Sequence, residues 1–389
     1  MRLSKGPASL SDDLSLAEFG AALEKNIKRL NEIKTSELKF GPKLISKDEY
    51  ISGLELLADH IELGISKDGF VRLVKTNFDF YEVYGRSKWG EVFITSYFAP
   101  EIQGAKQKTE IYTQPIYSIP IDLVDIRIDE FVETHERLSV LKDPQTDKAA
   151  ISILRGRLIK DKNGKSKIIP YYSRREIDET NVLSDKSEIL AWVDPIDAFF
   201  LHVQGSGTIR FEDGEELVLG YASQNGHKYE SIGKQLLDVI PKEKMSMQSL
   251  ERHLRSLPYN NMKEILHVNP SYIFFRELEG RPLTSFGTET VDGRTIATDT
   301  KYFPKGALVY LEFPVPVYEN SESIEPVEWE MTSRFVLNQD SGGAIKGPDR
   351  VDLFWGSGKE AARYAGVMKS LGKLYYLVPK DVLIEKLKD

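Results

Sequence analysis

The stretch Gln339-Asp340-Ser341-Gly342-Gly343-Ala344-Ile345-Lys346-Gly347-Pro348-Asp349-Arg350-Val351-Asp352 is the most informative in the chain. It opens with an acid at the end of an apolar run, turns through a Gly-Gly pair, and enters a second apolar run that carries another acid. Glycine has no Cβ, so such a turn lets main-chain amides come close to a ligand. In the second run Val351, Leu353 and Trp355 alternate with Asp352 and Phe354, the two-residue period of a strand, which places Asp352 on the face of an aromatic. A carboxyl partly desolvated there gains proton affinity and donates a proton near neutral pH. The same spacing also fits a polar position on a half-exposed strand.

Outward from this stretch the pattern stays β-rich. Strands are expected over 307–313, 334–338, 351–355 and 374–378, with a helix over 359–371 between the last two. Upstream, Asn163-Gly164 and Asp213-Gly214 each sit between two apolar runs, the usual signal of a tight hairpin, so the middle of the chain reads as barrel or sandwich material. Helical periodicity returns at 246–257 and 262–266. The first third is helical: Leu16, Phe19, Leu23, Ile27 and Leu30 recur at three- and four-residue steps. Ser46 and Glu49 form a capping box ahead of Leu54, Leu57 and Ile61. The texture changes to strands near Trp89. No 20–50-residue repeat is present.

At 389 residues two or three bodies are expected. The 52 basic and 60 acidic residues give a net charge of -8, which argues against a protein whose affinity rests on a phosphate backbone, so no nucleic-acid partner is expected. With no cysteine, disulfides, zinc–thiolate sites and thiol nucleophiles are excluded. No run reaches the length of an apolar membrane helix, and Met1-Arg2-Leu3-Ser4-Lys5-Gly6-Pro7 lacks a signal-peptide core. The chain is therefore expected to be cytoplasmic or to begin after a removed leader.

Other chemistry is weakly signalled. The six histidines are scattered without a His-Glu-x-x-His pair, so neither a metal nor an organic cofactor is expected. Gly356-Ser357-Gly358-Lys359-Glu360 lacks the first glycine and the Ser or Thr of a phosphate loop and reads as a turn feeding a helix. Gln204-Gly205-Ser206-Gly207 is followed by another strand, unlike a nucleophile elbow.

The run from Asp340 to Gly347 with Val351-Asp352-Leu353-Phe354-Trp355-Gly356 resembles the C-terminal aspartate-rich motif of the membrane-bound lytic murein transglycosylase A family. Thr95-Ser96-Tyr97-Phe98-Ala99-Pro100, Pro170-Tyr171-Tyr172-Ser173-Arg174, the segment from Asp197 to Gly207, and the segment from Asn269 to Arg276 agree with it in family order. The resemblance implies an α+β, mainly β, fold. A double-psi β-barrel domain would form from two chain segments, with a second β-barrel-like domain inserted between them, a groove at their junction, and an N-terminal helical region. The expected divisions are 1–103, 104–273 and 274–389.

The family cleaves the β-1,4 bond from N-acetylmuramic acid to N-acetylglucosamine in peptidoglycan without water, closing a 1,6-anhydro ring. An ordinary glycosidase needs two carboxyls. Here the attacking 6-hydroxyl is tethered to the sugar, so one carboxyl can act as acid and then as base. The resemblance maps that role onto Asp352. Asp340 either raises the proton affinity of Asp352 by its charge or caps nearby amides in the turn, and Asp299 has the same two readings. Lys346 would bind a glycan oxygen or neutralise the acids. Thr95, Tyr97, Gln204, Gly205, Ser206, Gly207, Gly342 and Gly343 would contact substrate through hydroxyl, amide and aromatic groups, with a buried strand aromatic as the other reading of Tyr97.

Peptidoglycan strands are thus the implied partner and the periplasm or outer membrane the implied location. The family's lipid-bearing N-terminal cysteine is not in this chain, and Ser96-Tyr97 stands where the family has Gly-Tyr. Two other functions stay open: a glycan-binding barrel without turnover, and a hydrolase using Asp340 and Asp352 as a pair.

Overall fold

The computed structural model describes residues 1–85, 88–142, 153–323 and 325–388. The chain divides into two compact units, one of Met1–Pro100 with Arg281–Asp389 and one of Glu101–Gly280. The fold is mixed α+β, with both strands and helices in each unit.

The first unit is built on a closed ring of six strands, numbered here in chain order: β1 (Glu91–Ala99), β2 (Thr295–Ala297), β3 (Ala307–Val317), β4 (Glu328–Asp340), β5 (Arg350–Ser357) and β6 (Lys369–Pro379). The order around the ring is β6-β3-β4-β2-β5-β1, and β1 pairs back onto β6. Two neighbouring pairs run parallel, β2 with β4 and β5 with β1, and the other four pairs antiparallel. Closure removes free edges, and the mixed pairing is consistent with a double-psi barrel. Val351 and Leu353 point into the shared core with Val309, Leu311, Phe335, Leu337 and Leu377.

The expected helix over 359–371 is shorter, Gly358–Ala365, and Leu371 belongs to β6. Residues from Lys369 onward are taken by the ladder that closes the barrel, where Leu371 lies opposite Phe93. Long-range strand pairing here overrides a local helical pattern. The strands expected at 307–313 and 334–338 extend to Val317 and from Glu328, because each supplies the other's partner along eleven register positions.

Three helices precede the barrel: α1 (Leu16–Glu32), α2 (Lys47–Glu62) and α3 (Lys67–Asn77). Phe19, Leu23 and Leu30 of α1 are fully buried, each side chain contributing about 1.5–3 kcal/mol of burial. The α2 capping box forms, with Ser46 Oγ accepting from Glu49 N at 3.2 Å and Glu49 Oε2 accepting from Ser46 N at 3.3 Å. Polar contacts tie the helical segment to the barrel. Asn26 donates to Gly306 O at 2.9 Å and accepts from Gln339 Nε2 at 3.0 Å. Arg294, with no solvent exposure, pairs with Asp12 at 2.5 Å and donates to Ser15 O and Phe335 O.

The second unit contains a six-stranded sheet, ordered Ile273–Glu277, Glu216–Gln224, Gly207–Phe211, Glu101–Ala105, Ile189–Val193 and Gln114–Tyr117, and a separate three-stranded sheet. Both expected hairpins are present, with Gly164 and Gly214 in left-handed backbone conformations at φ 76° and 86°. Helix Pro195–Gln204 packs Ala198 and Leu201 onto the large sheet and ends at Gly205, whose φ of 82° closes the turn. The helix expected at 246–257 occupies Met247–Ser256, capped by Ser246, and that at 262–266 runs from Tyr259 to Leu266.

Candidate active site

Strand register assembles the site within the barrel unit. Asp352 on β5 lies opposite Thr95 on the parallel β1 and opposite Ala297 on the antiparallel β2, and Ala297 in turn lies opposite Asp340 on β4. Two residues further along, Phe354 lies opposite Tyr97. Four strands from distant parts of the chain thereby bring a threonine and two aspartates into one row.

Within the row, Thr95 Oγ1 donates to Asp352 Oδ1 at 2.7 Å, and Arg350 Nη2 approaches Thr95 Oγ1 at 3.4 Å. Burial raises the Asp352 carboxyl to about 6 against an ordinary 3.8. The Thr95 hydrogen bond and the Arg350 charge pull it down, and the charge of Asp340 pushes it up. Burial is the largest of these effects and the charge of Asp340 the smallest.

Asp340 is held by three donors: Tyr97 Oη on Oδ2 at 2.8 Å, and Ser285 N at 2.9 Å and Ser341 N at 2.8 Å on Oδ1. It thus accepts from two main-chain amides, and it shares Ala297 as a strand partner with Asp352. Burial, reinforced by the charge of Asp340, keeps the Tyr97 phenol protonated and a donor, and its ring lies 5.1 Å from that of Phe354. Asp299 is buried, with Oδ2 accepting from Gly347 N at 2.9 Å and Oδ1 from Lys301 N at 3.0 Å, which ties the 341–349 loop to the barrel. Gly347, at φ 93°, is the loop glycine whose backbone demands it. Gly342 and Gly343 are not left-handed, and a Cβ on Gly343 would meet open space.

Lys346 is exposed on this loop and, among the described residues, makes no ion pair with the acids. The lysine beside them is Lys305, which sequence reasoning missed. Its Nζ donates to the main-chain oxygen of Asp340, and burial lowers it to about 8 against the opposing pull of Asp340 and Asp299. The one signal was a cation inside an otherwise apolar approach to a strand, Phe303-Pro304-Lys305-Gly306-Ala307-Leu308. Arg350 and Ser285 were missed too, since neither belongs to a spacing pattern. Gln204, Gly205, Ser206 and Gly207 lie in the other unit, at the end of helix Pro195–Gln204 and the start of strand Gly207–Phe211.

A two-segment closed barrel thus sets a carboxyl raised to about 6 beside a hydroxyl and a second acid, groups of the class that carries acid–base chemistry. Residues 93–276 match the MltA specific insert domain and residues 294–378 the 3D domain. The membrane-bound lytic murein transglycosylase A of Escherichia coli K12 is 31% identical over 304 residues, covering 77% of this chain and 69% of that protein. A membrane-bound lytic murein transglycosylase structure from Agrobacterium tumefaciens superposes with a TM-score of 0.72 at 28% identity, covering 97% of this chain and 95% of the other. An E. coli MltA structure with bound chitohexaose shares the fold at a TM-score of 0.66 and 23% identity, over 97% of this chain and 93% of that one. The chain belongs to the membrane-bound lytic murein transglycosylase A family. Among the described residues, no helix is long and apolar enough to cross a membrane.

Proposed function

We propose that this protein is a peptidoglycan lytic transglycosylase, breaking the β-1,4 bond from N-acetylmuramic acid to N-acetylglucosamine and forming 1,6-anhydromuramic acid, with Asp352 as its acid and then its base. The observation that carries the reading is the Asp352 carboxyl, raised to about 6 by burial and held by Thr95. Such a group is protonated often enough near neutrality to donate to the glycosidic oxygen as the bond to the anomeric carbon breaks. The resulting carboxylate takes the proton of the 6-hydroxyl as its oxygen closes on that carbon. Bond count and protons balance, Asp352 returns to its starting form, and no water is consumed. Tethering of the 6-hydroxyl stands in for the second carboxyl of a hydrolase.

Asp340 supports this step by its charge and Asp299 by anchoring the neighbouring loop. Thr95, Tyr97, Gln204, Gly205, Ser206, Gly207, Gly342, Gly343 and Lys346 are proposed glycan contacts. In this reading 1–103 and 274–389 serve as the acid-bearing domain and 104–273 as the inserted one. The partner is the peptidoglycan strand, and the proposed site of action is the periplasm or outer-membrane face, where such strands lie. The membrane-bound naming of the relatives supports that location.

Digestion of purified murein sacculi, with the soluble muropeptides resolved by mass spectrometry, tests the proposal. Products one water lighter than hydrolytic ones are expected, and none from Asp352→Asn. Reducing-end products would instead indicate a hydrolase using Asp340 and Asp352. Pelleting with sacculi and no products would indicate a binding protein.

A further inference from the structure

We propose a divalent metal site in the inserted unit, formed by His267, Glu264 and Glu179, of the kind that takes zinc. Glu264 and His267 are three residues apart, at the end of helix Tyr259–Leu266, so they share one face. Glu179 ends the neighbouring helix, Arg174–Glu179. One imidazole nitrogen and one oxygen from each carboxylate lie within 4.8 Å of one another.

The imidazole carries the argument. Its side chain has no solvent exposure. Nε2 lies 3.1 Å from Asp178 Oδ2, and because a carboxylate can only accept, Nε2 carries the hydrogen. Asp178 is itself held by Gln114 Nε2 at 2.7 Å, so the ring orientation is locked. Nδ1 makes no hydrogen bond and faces Glu179 Oε1 at 3.4 Å. A buried imidazole nitrogen without a hydrogen bond and a carboxylate oxygen are thus placed as two donor atoms around one point. Zinc with ligands at about 2.0–2.1 Å in tetrahedral array needs donor atoms about 3.3 Å apart, which this pair already meets. A carboxylate on the other ring nitrogen is the usual outer partner of a metal-bound histidine, and Asp178 occupies that place.

Glu264 completes the set by a small swing, its side chain being 63% exposed. Arg175 now bridges the two glutamates, at 2.8 Å to each oxygen of Glu264 and 3.2 Å to Glu179. Its guanidinium is a partly exposed, solvent-screened partner that a divalent ion can displace. Sequence reading found no such site because Glu179 and His267 are far apart in the chain.

Isothermal titration of chelator-treated full-length protein with zinc chloride tests the site. One equivalent should bind, with a rise in melting temperature. Glu264→Gln, an exposed change that leaves the fold alone, should weaken binding about tenfold or more. Arg175→Ala should strengthen it by removing the competing cation. Absence of stoichiometric binding, or binding that Glu264→Gln leaves unchanged, would overturn the site. So would an Nδ1-protonated imidazolium in zinc-saturated protein, read from the ¹⁵N shifts of His267.

Discussion

Thr95 and Asp352 face each other across two parallel strands, and the threonine hydroxyl donates a 2.7 Å hydrogen bond to Asp352 Oδ1. The bond favours the ionised carboxyl while burial favours the protonated one, and burial prevails. The proton affinity of the acid is thus set by two opposed effects that can be altered separately.

The first prediction concerns pH. As a general acid raised to about 6, Asp352 should give kcat/KM on murein a limb that declines about tenfold per pH unit above pH 6. Thr95→Val removes the bond that favours the charged form, so the limb should move upward by about one unit. A limb that stays in place would show that another group titrates.

The same shift acts on stability. The folded value lies above the ordinary 3.8, so the folded chain holds this proton more tightly than the unfolded chain. The contribution is complete below pH 3.8 and is lost as pH rises through about 6. Between pH 4 and 7 the unfolding free energy of Asp352→Asn should therefore gain on that of the parent, as measured by denaturant titration.

Tyr97→Phe deletes the hydroxyl that anchors Asp340 Oδ2 and keeps the ring beside Phe354. Turnover should fall about tenfold with a stability change near 1 kcal/mol. Steady-state assays on murein and thermal unfolding separate the two effects.

Lys305→Met replaces a buried ammonium lowered to about 8. A depressed lysine contributes stability only above its ordinary 10.5 and loses it as pH falls through about 8, so at neutral pH the charge is a penalty. The variant should be relatively more stable at pH 7 than at pH 9.5, by comparison of melting temperatures with the parent.

Asp12→Ala strips the partner from fully buried Arg294 and leaves Phe335 N without its acceptor. An unpaired buried cation costs about 3–5 kcal/mol, which denaturant melts should register.

Much of the architecture was legible because its causes are local. The α1 stripe, the Ser46–Glu49 box, the two glycine turns and the alternation around Asp352 each report a backbone preference or a two- or 3.6-residue period. The 359–371 helix was misread for the complementary reason: the partner strand that claims Leu371 lies more than 270 residues away. Lys305 escaped notice likewise, since Asp340, whose main-chain oxygen it meets, lies 35 residues further along the chain.

The sequence by itself determined the strand carrying Asp352, the acids available to it, the absence of cysteine chemistry and, through its ordered motifs, the family. Only the tertiary structure decided that Thr95, Asp352, Ala297 and Asp340 form one row, that Tyr97 holds Asp340, and that burial outweighs charge at Asp352. The reason is physical. Periodicity tells which face of a strand a residue occupies, whereas register between distant strands and removal from water arise only when the barrel closes.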